Sequence, residues 1–339
     1  MIRARTLISI AVALALVMAL MPTVALAAED TAGGSFTATG VTPTVTAIAL
    51  WDTEATPAEA TAMDPQVEYN VKVTVQDDNT LDDLDTLTVT IFYDANGTYD
   101  AGDVPVAGNV NTAAILTWTN ATPDTWEIDA VSGGGSWSIV SGSCVTPDLG
   151  NSSDTFEFHF IPGAVATETD ATSRWHIYAE ADDGTGTGDN HQDNRTMNWY
   201  GQVTISEATI AFGAVALGVV DDQSPNFVLT NIANGDYKLN LKADATWTGV
   251  TLWELSLDTV DENPGDAELA LEADDDGTEA DAQLVTDAYV LYTGHATDAG
   301  PTDEDGEDVL TNTLWLSLGS TGIVADDYSG TIYYQILND

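Results

Sequence analysis

The sequence holds one cysteine, Cys144, in 339 residues, and only 7 lysines and arginines against 55 aspartates and glutamates. A single cysteine excludes an intramolecular disulfide. Stability must come from sheet packing, with metal or glycan as the available supplements. Cys144 stands in the polar stretch Ser141-Gly142-Ser143-Cys144 with no histidine near it in sequence, which argues against a catalytic thiol. The shortage of base excludes another class of function. At a formal charge of −48 the chain repels nucleic acid and anionic membrane surfaces, so neither is expected as a partner. Self-repulsion on that scale calls for bound cations, high external salt, or both. A halophilic adaptation and a calcium-loaded surface protein leave the same composition.

Catalytic signatures are missing as well. There is no G-x-S-x-G elbow, no H-E-x-x-H pair and no glycine-rich phosphate loop. The four histidines, His159, His176, His191 and His295, are scattered. The first two fall in expected strands and read as structural imidazoles. The other two fall in acidic loops. Carboxylate pairs of the glycosidase kind are uninformative here, because acids occur everywhere.

The one apolar run is at the N-terminus. Arg3 and Arg5 precede the uncharged stretch Leu7 to Met21, Pro22 breaks it, and Ala25-Leu26-Ala27 forms an A-x-A cleavage site. The run is shorter than the roughly 20 residues a spanning helix needs. Residues 1–27 therefore read as a cleavable secretory signal, and the exported chain is expected to start at Ala28. Loss of Arg3 and Arg5 takes the charge from −48 to −50. No later run is long and apolar enough to span a bilayer, so no membrane insertion is expected after cleavage. The final Ile336-Leu337-Asn338-Asp339 offers no anchor, so retention at a surface is expected to be non-covalent.

What is present is period-2 alternation. Val67, Tyr69, Val71, Val73 and Val75 share one face of an expected strand, with Glu68, Asn70, Lys72 and Thr74 on the other. Leu87, Val89, Ile91 and Tyr93 repeat the pattern. Further strands are expected over 155–160, 175–180, 197–205, 209–216, 227–232, 237–243 and 252–257. Residues 309–318 and 329–337 read as a closing hairpin around Gly319-Ser320-Thr321-Gly322. Ala58 to Met63 is a short helical candidate. Many short strands broken by Gly, Asn and Asp clusters predict an all-β chain of two tandem sandwiches, since each apolar sheet face needs a second sheet to cover it. The expected layout is an extended leader over 28–45, a first domain over 46–205 and a second over 206–339. The leader reads as a flexible segment or as a donor strand for a neighbour's sheet edge.

Three stretches carry a resemblance. The strand, acidic loop and strand of Val67 to Asp100 resemble Ig-like modules of prokaryotic cell-surface and filament proteins. So does Trp175-His176-Ile177-Tyr178-Ala179-Glu180-Ala181-Asp182-Asp183-Gly184. Leu314-Trp315-Leu316-Ser317-Leu318, followed by Tyr328-Ser329-Gly330-Thr331-Ile332, resembles the closing hairpin of secreted sandwich domains. The resemblance implies Ig-like folds on an archaeal or bacterial surface protein.

Calcium is the expected cofactor, because loops in which carboxylates alternate with turn residues supply the several oxygens a hard cation needs. Asp94, Asn96, Asp100 and Asp103 form the first candidate loop. Its opening resembles EF-hand-like and dockerin-like loops, but it has Gly97 at position 4 and Pro105 at position 12. Asp182, Asp183, Asp189 and Asp193 form the second candidate. Asp274, Asp275, Asp276, Glu279 and Asp281 form the third, and Asp303, Glu304, Asp305, Glu307 and Asp308 the fourth. Four N-x-[ST] sequons, at Asn96, Asn120, Asn151 and Asn194, are candidate glycan acceptors in an exported chain. Glycan and calcium compete at Asn96.

These features predict a secreted, non-enzymatic structural protein, a subunit of a surface layer or extracellular filament stabilised by calcium. Its partners would be copies of itself, through strand addition or lattice contacts, with glycans as a further possibility. The alternative is an adhesin or carbohydrate-binding module using Trp118, Trp126 and Trp137, which read equally as core residues. An extracellular hydrolase ranks third.

Overall fold

The computed structural model describes residues 40–133, 137–275, 277–292, 301–302 and 308–339. The expected signal segment, the expected leader up to residue 39, Asp276, His295 and residues 303–307 lie outside the described residues. Among the described residues no helix is long and apolar enough to cross a membrane. The chain is all-β, with its strands in four sheets.

The first two sheets enclose one core. One sheet has the order β1 (Thr44–Asp52), β3 (Tyr69–Gln76), β8 (Ser153–Ile161), β7 (Ser138–Ile139). The other runs β2 (Ala62–Met63), β10 (Thr187–Met197), β9 (Arg174–Asp182), β4 (Thr86–Asp94), β5 (Ala113–Thr119), β6 (Thr125–Ile128). With β1 and β3 to β10 taken in chain order as A, B, C, C′, C″, D, E, F and G, the sheets are A-B-E-D and G-F-C-C′-C″. That is the variable-type immunoglobulin order. Only the short β2 is parallel to its neighbour, β10. The alternation places Val71, Val73 and Val75 of β3 in the core with Leu87, Val89 and Ile91 of β4, all fully buried. Where antibody domains put an inter-sheet disulfide, this core is filled by Val, Ile, Ala and aromatic side chains. Trp118, Trp137 and Trp175 are buried in it, and Trp126 packs against it. They are core residues, so Trp118 and Trp137 present no face to a ligand.

The second pair of sheets is built differently. A large sheet runs β11 (Gly201–Ile205), β13 (Phe227–Ala233), β20 (Asp308–Leu318), β17 (Glu268–Asp274), β16 (Glu254–Leu257), β15 (Thr246–Gly249), β21 (Tyr328–Ser329). Against it lies β19 (Val290–Leu291), β14 (Tyr237–Ala243), β22 (Ile332–Asn338). Strand β16 is parallel to β17. A separate core forms here around Leu229, Leu239, Leu241, Leu271 and Leu314. Strand β11, expected at the end of the first domain, pairs along its length with β13, and Val203 packs on this second core.

Three local expectations are corrected. Residues 309–318 and 329–337 do not pair as a hairpin. Strand β20 is central, with β13 on one side and β17 on the other, so β22 crosses to the opposite sheet and pairs with β14. The continuous burial of Asn312 to Ser317 is the mark of a strand covered on both faces. Residues 209–216 form no strand; Ile210, Phe212 and Val215 cap the second core from an irregular segment in which Gly213 has φ +83°. Ala58 to Met63 is not helical, since Glu59 bridges Trp51 and β2 joins β10.

The halves meet at Asn234, which is wholly buried. Its Nδ2 donates to the carbonyls of Ala166 (2.8 Å) and Asn198 (2.9 Å), and its Oδ1 accepts from the Tyr200 amide (2.6 Å). Its backbone carbonyl accepts from the Glu168 amide at 2.8 Å. Nearby, Asn338 Nδ2 donates to Glu168 Oε1 at 3.0 Å.

Candidate functional site

The connection between β3 and β4 reads Asp77-Asp78-Asn79-Thr80-Leu81-Asp82-Asp83-Leu84-Asp85. An acidic run of this kind normally projects into solvent, but Leu81 and Leu84 are both fully buried and draw the loop inward. The Asp77 amide donates to Ser152 O and the Leu81 amide to Asn151 O, each at 2.9 Å. Asp77 is left 1 % exposed. Its Oδ1 accepts from the Asn79 amide at 2.8 Å, while its Oδ2 is shut off from solvent with no hydrogen-bond partner. Asp83 Oδ1 is buried without a partner too.

The turn between β9 and β10 adds a third carboxylate. Asp183 Oδ1 accepts from the amides of Thr185 (2.8 Å) and Gly186 (2.7 Å) and from the Thr185 hydroxyl (2.9 Å). Gly184 sits at φ +75°, a left-handed conformation that glycine adopts without the strain a side chain would bring. One carboxylate oxygen from each of Asp77, Asp83 and Asp183 lies within 4.8 Å of the others. Burial raises the Asp77 pKa, and the charges of Asp83, Asp183 and Asp78 raise it further.

A second carboxylate group lies in the other half. Asp221, Glu272 and Glu279 bring one oxygen each within 4.8 Å. Glu272, on β17, is 8 % exposed, and burial, followed by the charges of Glu262, Asp221 and Glu279, pushes its pKa up to about 7.

The four loops expected from sequence are only partly assembled. In the first, Asp94 Oδ1 accepts from the Asn96 amide, Asn96 Oδ1 from the Thr98 amide, Asp100 Oδ1 from the Gly102 amide, and Asp103 Oδ2 from the Asp100 amide. These groups cap their own turns, and Asp94, Asp100 and Asp103 do not converge. In the second, Asp182 caps Gly184 and only Asp183 joins a triad. Asp189 and Asp193 lie further along β10. Asp193 Oδ1 is 3.1 Å from Nδ1 of the fully buried His176, and Asp94 Oδ2 is 3.7 Å from its Nε2. Strands β4, β9 and β10 thus bring together acids of two separate loops around one imidazole. In the third, Asp274 Oδ2 accepts from the Thr278 amide and Glu279 joins Glu272, while Asp276 lies outside the described residues. Of the fourth, only the backbone of Asp308, at the start of β20, is described.

The other single residues sort as follows. His159 Nδ1 is 2.8 Å from Glu68 Oε1, a structural contact across the sheet. Burial pushes the Cys144 thiol up to about 11, which keeps it neutral and unreactive. Asn96, Asn151 and Asn194 are exposed. Asn120 donates its amide hydrogens to Asp82 O (3.1 Å) and Leu84 O (2.8 Å), so a glycan there, which replaces one of those hydrogens, would cost at least one bond.

Sequence reasoning missed Asp77 and Asp83. The available signal was the pair of leucines inside an acidic run. It also missed an exposed apolar group with Trp253 at the β15–β16 turn. Val250, Leu252 and Trp253 are 76 %, 81 % and 53 % exposed there, and Asp326 Oδ2 holds the turn by accepting from the Thr251 amide and hydroxyl.

No protein-family model and no curated protein matches the sequence. Among solved structures, one described as a chaperone–tip adhesin complex in the biogenesis of CFA/I fimbriae is 11 % identical, with 82 % of this chain and 95 % of that chain covered and a TM-score of 0.26. Another, described as manganese lipoxygenase of Gaeumannomyces graminis with part of a zonadhesin of Komagataella pastoris, is 10 % identical over 87 % of this chain and 94 % of that chain, with a TM-score of 0.14.

Proposed function

We propose that the chain is a secreted, non-catalytic structural protein, a subunit of a surface layer or extracellular filament. The observation that carries this reading is the junction at Asn234. A subunit that transmits position through a lattice needs its domains fixed to each other, and a fully buried side chain that bonds Ala166 and Asn198 on the first half's side and Tyr200 at the start of the second supports such a fixture. The export signal read over residues 1–27 and the strongly acidic composition support an extracellular setting. Negative-stain imaging of purified residues 28–339 tests the reading. Sheets or filaments are the expected result in millimolar CaCl2, and single particles at every salt and calcium concentration would overturn it.

A second reading, an adhesin or carbohydrate-binding module, is favoured by the turn carrying Val250, Leu252 and Trp253. An aromatic held open at a pinned turn offers a stacking face to a sugar ring. Saturable glycan binding that disappears in Trp253→Ala is the expected outcome on this reading; unchanged binding in the variant would remove it.

A further inference from the structure

We propose that Asp77, Asp83 and Asp183 form a site for a hard divalent cation of the calcium class, which clamps the β3–β4 and β9–β10 connections together at one end of the first sandwich. Acidic groups on a surface are common and need no ion. This group differs in two respects. Asp77 is almost wholly buried, and its Oδ2 has no donor; the Oδ1 of Asp83 is buried and orphaned too. A buried acceptor without a donor is costly, and a carboxylate more so. Among the described residues no lysine or arginine is paired with any of the three.

The spacing suits a cation. Calcium–oxygen bonds of about 2.4 Å allow ligand oxygens to stand up to about 4.8 Å apart on opposite sides of the ion. The three carboxylate oxygens lie within that separation. Protein carboxylates supplying three or more of the 6–8 oxygens favour Ca²⁺ over Mg²⁺, which dehydrates reluctantly and keeps its waters. Water completes the sphere. The loops are prepared to hold it. Leu81 and Leu84 anchor one side, and the capping bonds to Asp183 Oδ1 fix the other while leaving its second oxygen free of them. Gly40 stands beside that second oxygen, with its Cβ position 3.4 Å away, so the start of β1's approach passes over the same spot. The two connections are those that, with the C′–C″ loop, gather at one end of a variable-type sandwich. This inference stands whether or not the chain polymerises.

The test uses residues 28–339, stripped with chelator and returned to CaCl2 at an ionic strength fixed with NaCl. Calorimetric titration and thermal melting are read on the parent chain, on D77N and D183N, and on D261N as an exposed control in the other half. Asn at 183 keeps the capping oxygen, and Asn at 77 removes a buried charge, so both are expected to fold. The parent and D261N should gain about 5 °C or more at saturating Ca²⁺. D77N and D183N should bind one ion fewer, or bind at least tenfold more weakly, and lose most of the gain. If D77N fails to fold, D183N alone decides. Equal calcium responses in all four chains would overturn the site. So would an equal gain from NaCl, which would mean screening, or no gain at all, which would mean that the carboxylates are relieved by a shared proton.

Discussion

In the first sandwich the strand faces turned to the core are apolar, Val71, Val73 and Val75 against Leu87, Val89 and Ile91 with Trp118, Trp137 and Trp175. The buried polar side chains Asn70, Thr90 and His176 alternate with them along the same strands. The second sandwich mixes a leucine core with buried polar side chains. Asn312 donates to the Tyr292 hydroxyl at 2.5 Å, Tyr334 donates to Asn312 Oδ1 at 3.2 Å, and Asn231, Thr313, Ser317 and Ser224 are buried as well. The first half is specified by shape and by the alternation of its strands. The second is specified in part by partners that polar groups must find. The carboxylate groups follow the same division. Asp77 is buried by two neighbouring leucines in a loop, whereas Glu272 is buried on a strand inside a sheet. The two halves can therefore fail separately, and for different reasons.

The largest effect should come from the first core. Trp137→Ala removes a fully buried ring and its bond to Val110 O, and should cost about 3–5 kcal/mol. The two cores share no residue, so calorimetry should show one transition falling while the other holds its place. A single transition that moves as a whole would break the comparison. Asn234→Ala comes next. It strips partners from Ala166 O, Asn198 O and the Tyr200 amide, at about 1–3 kcal/mol for each buried group left unmet. Both transitions should fall, and the angle between the halves seen by small-angle scattering should broaden.

Glu272 gives a smaller effect with a pH signature. Its folded-state pKa, about 7, lies above the ordinary 4.5, so the folded chain holds a proton that the unfolded chain releases. That contribution is complete below about pH 4.5 and is lost as the pH rises through 7. In chelator, Glu272→Gln should raise the melting temperature of the second half by about 2–4 °C at pH 8 and leave it unchanged at pH 4. An equal gain at both values would assign the effect to packing. The smallest change expected is Lys72→Met. The Lys72–Glu157 pair at 3.1 Å is half-exposed, so its loss should cost under about 1 kcal/mol and only in the first half.

The first half was the more legible in sequence, because Tyr69 to Val75 and Leu87 to Ile91 alternate apolar with polar residues. The second was less so. Asn312 to Ser317 are buried on both faces, so polarity there does not report direction, and the partner of β22 could not be found from proximity in the chain. The acidic site was half legible. Asp183 stood in an expected loop, but Asp77 and Asp83 come from a distant connection that only the pairing of β4 with β9 brings alongside. Acidity was too general a property of this chain to point to them. Inward anchoring by Leu81 and Leu84 was the distinguishing feature.

The placement of β1 and β22 has a mechanical consequence. Gly40 and Thr44 lie at the end of the first sandwich marked by Asp183 and Gln76, while Asn338 and Asp339 lie against Glu168 and Asp236 beside the Asn234 junction. A pull applied between these two points would pass from β22 and its partner β14 through the junction into the first sandwich. It would load β1 against β3 lengthwise, in shear, so that the hydrogen bonds from Thr44 to Asp52 resist together instead of parting one at a time.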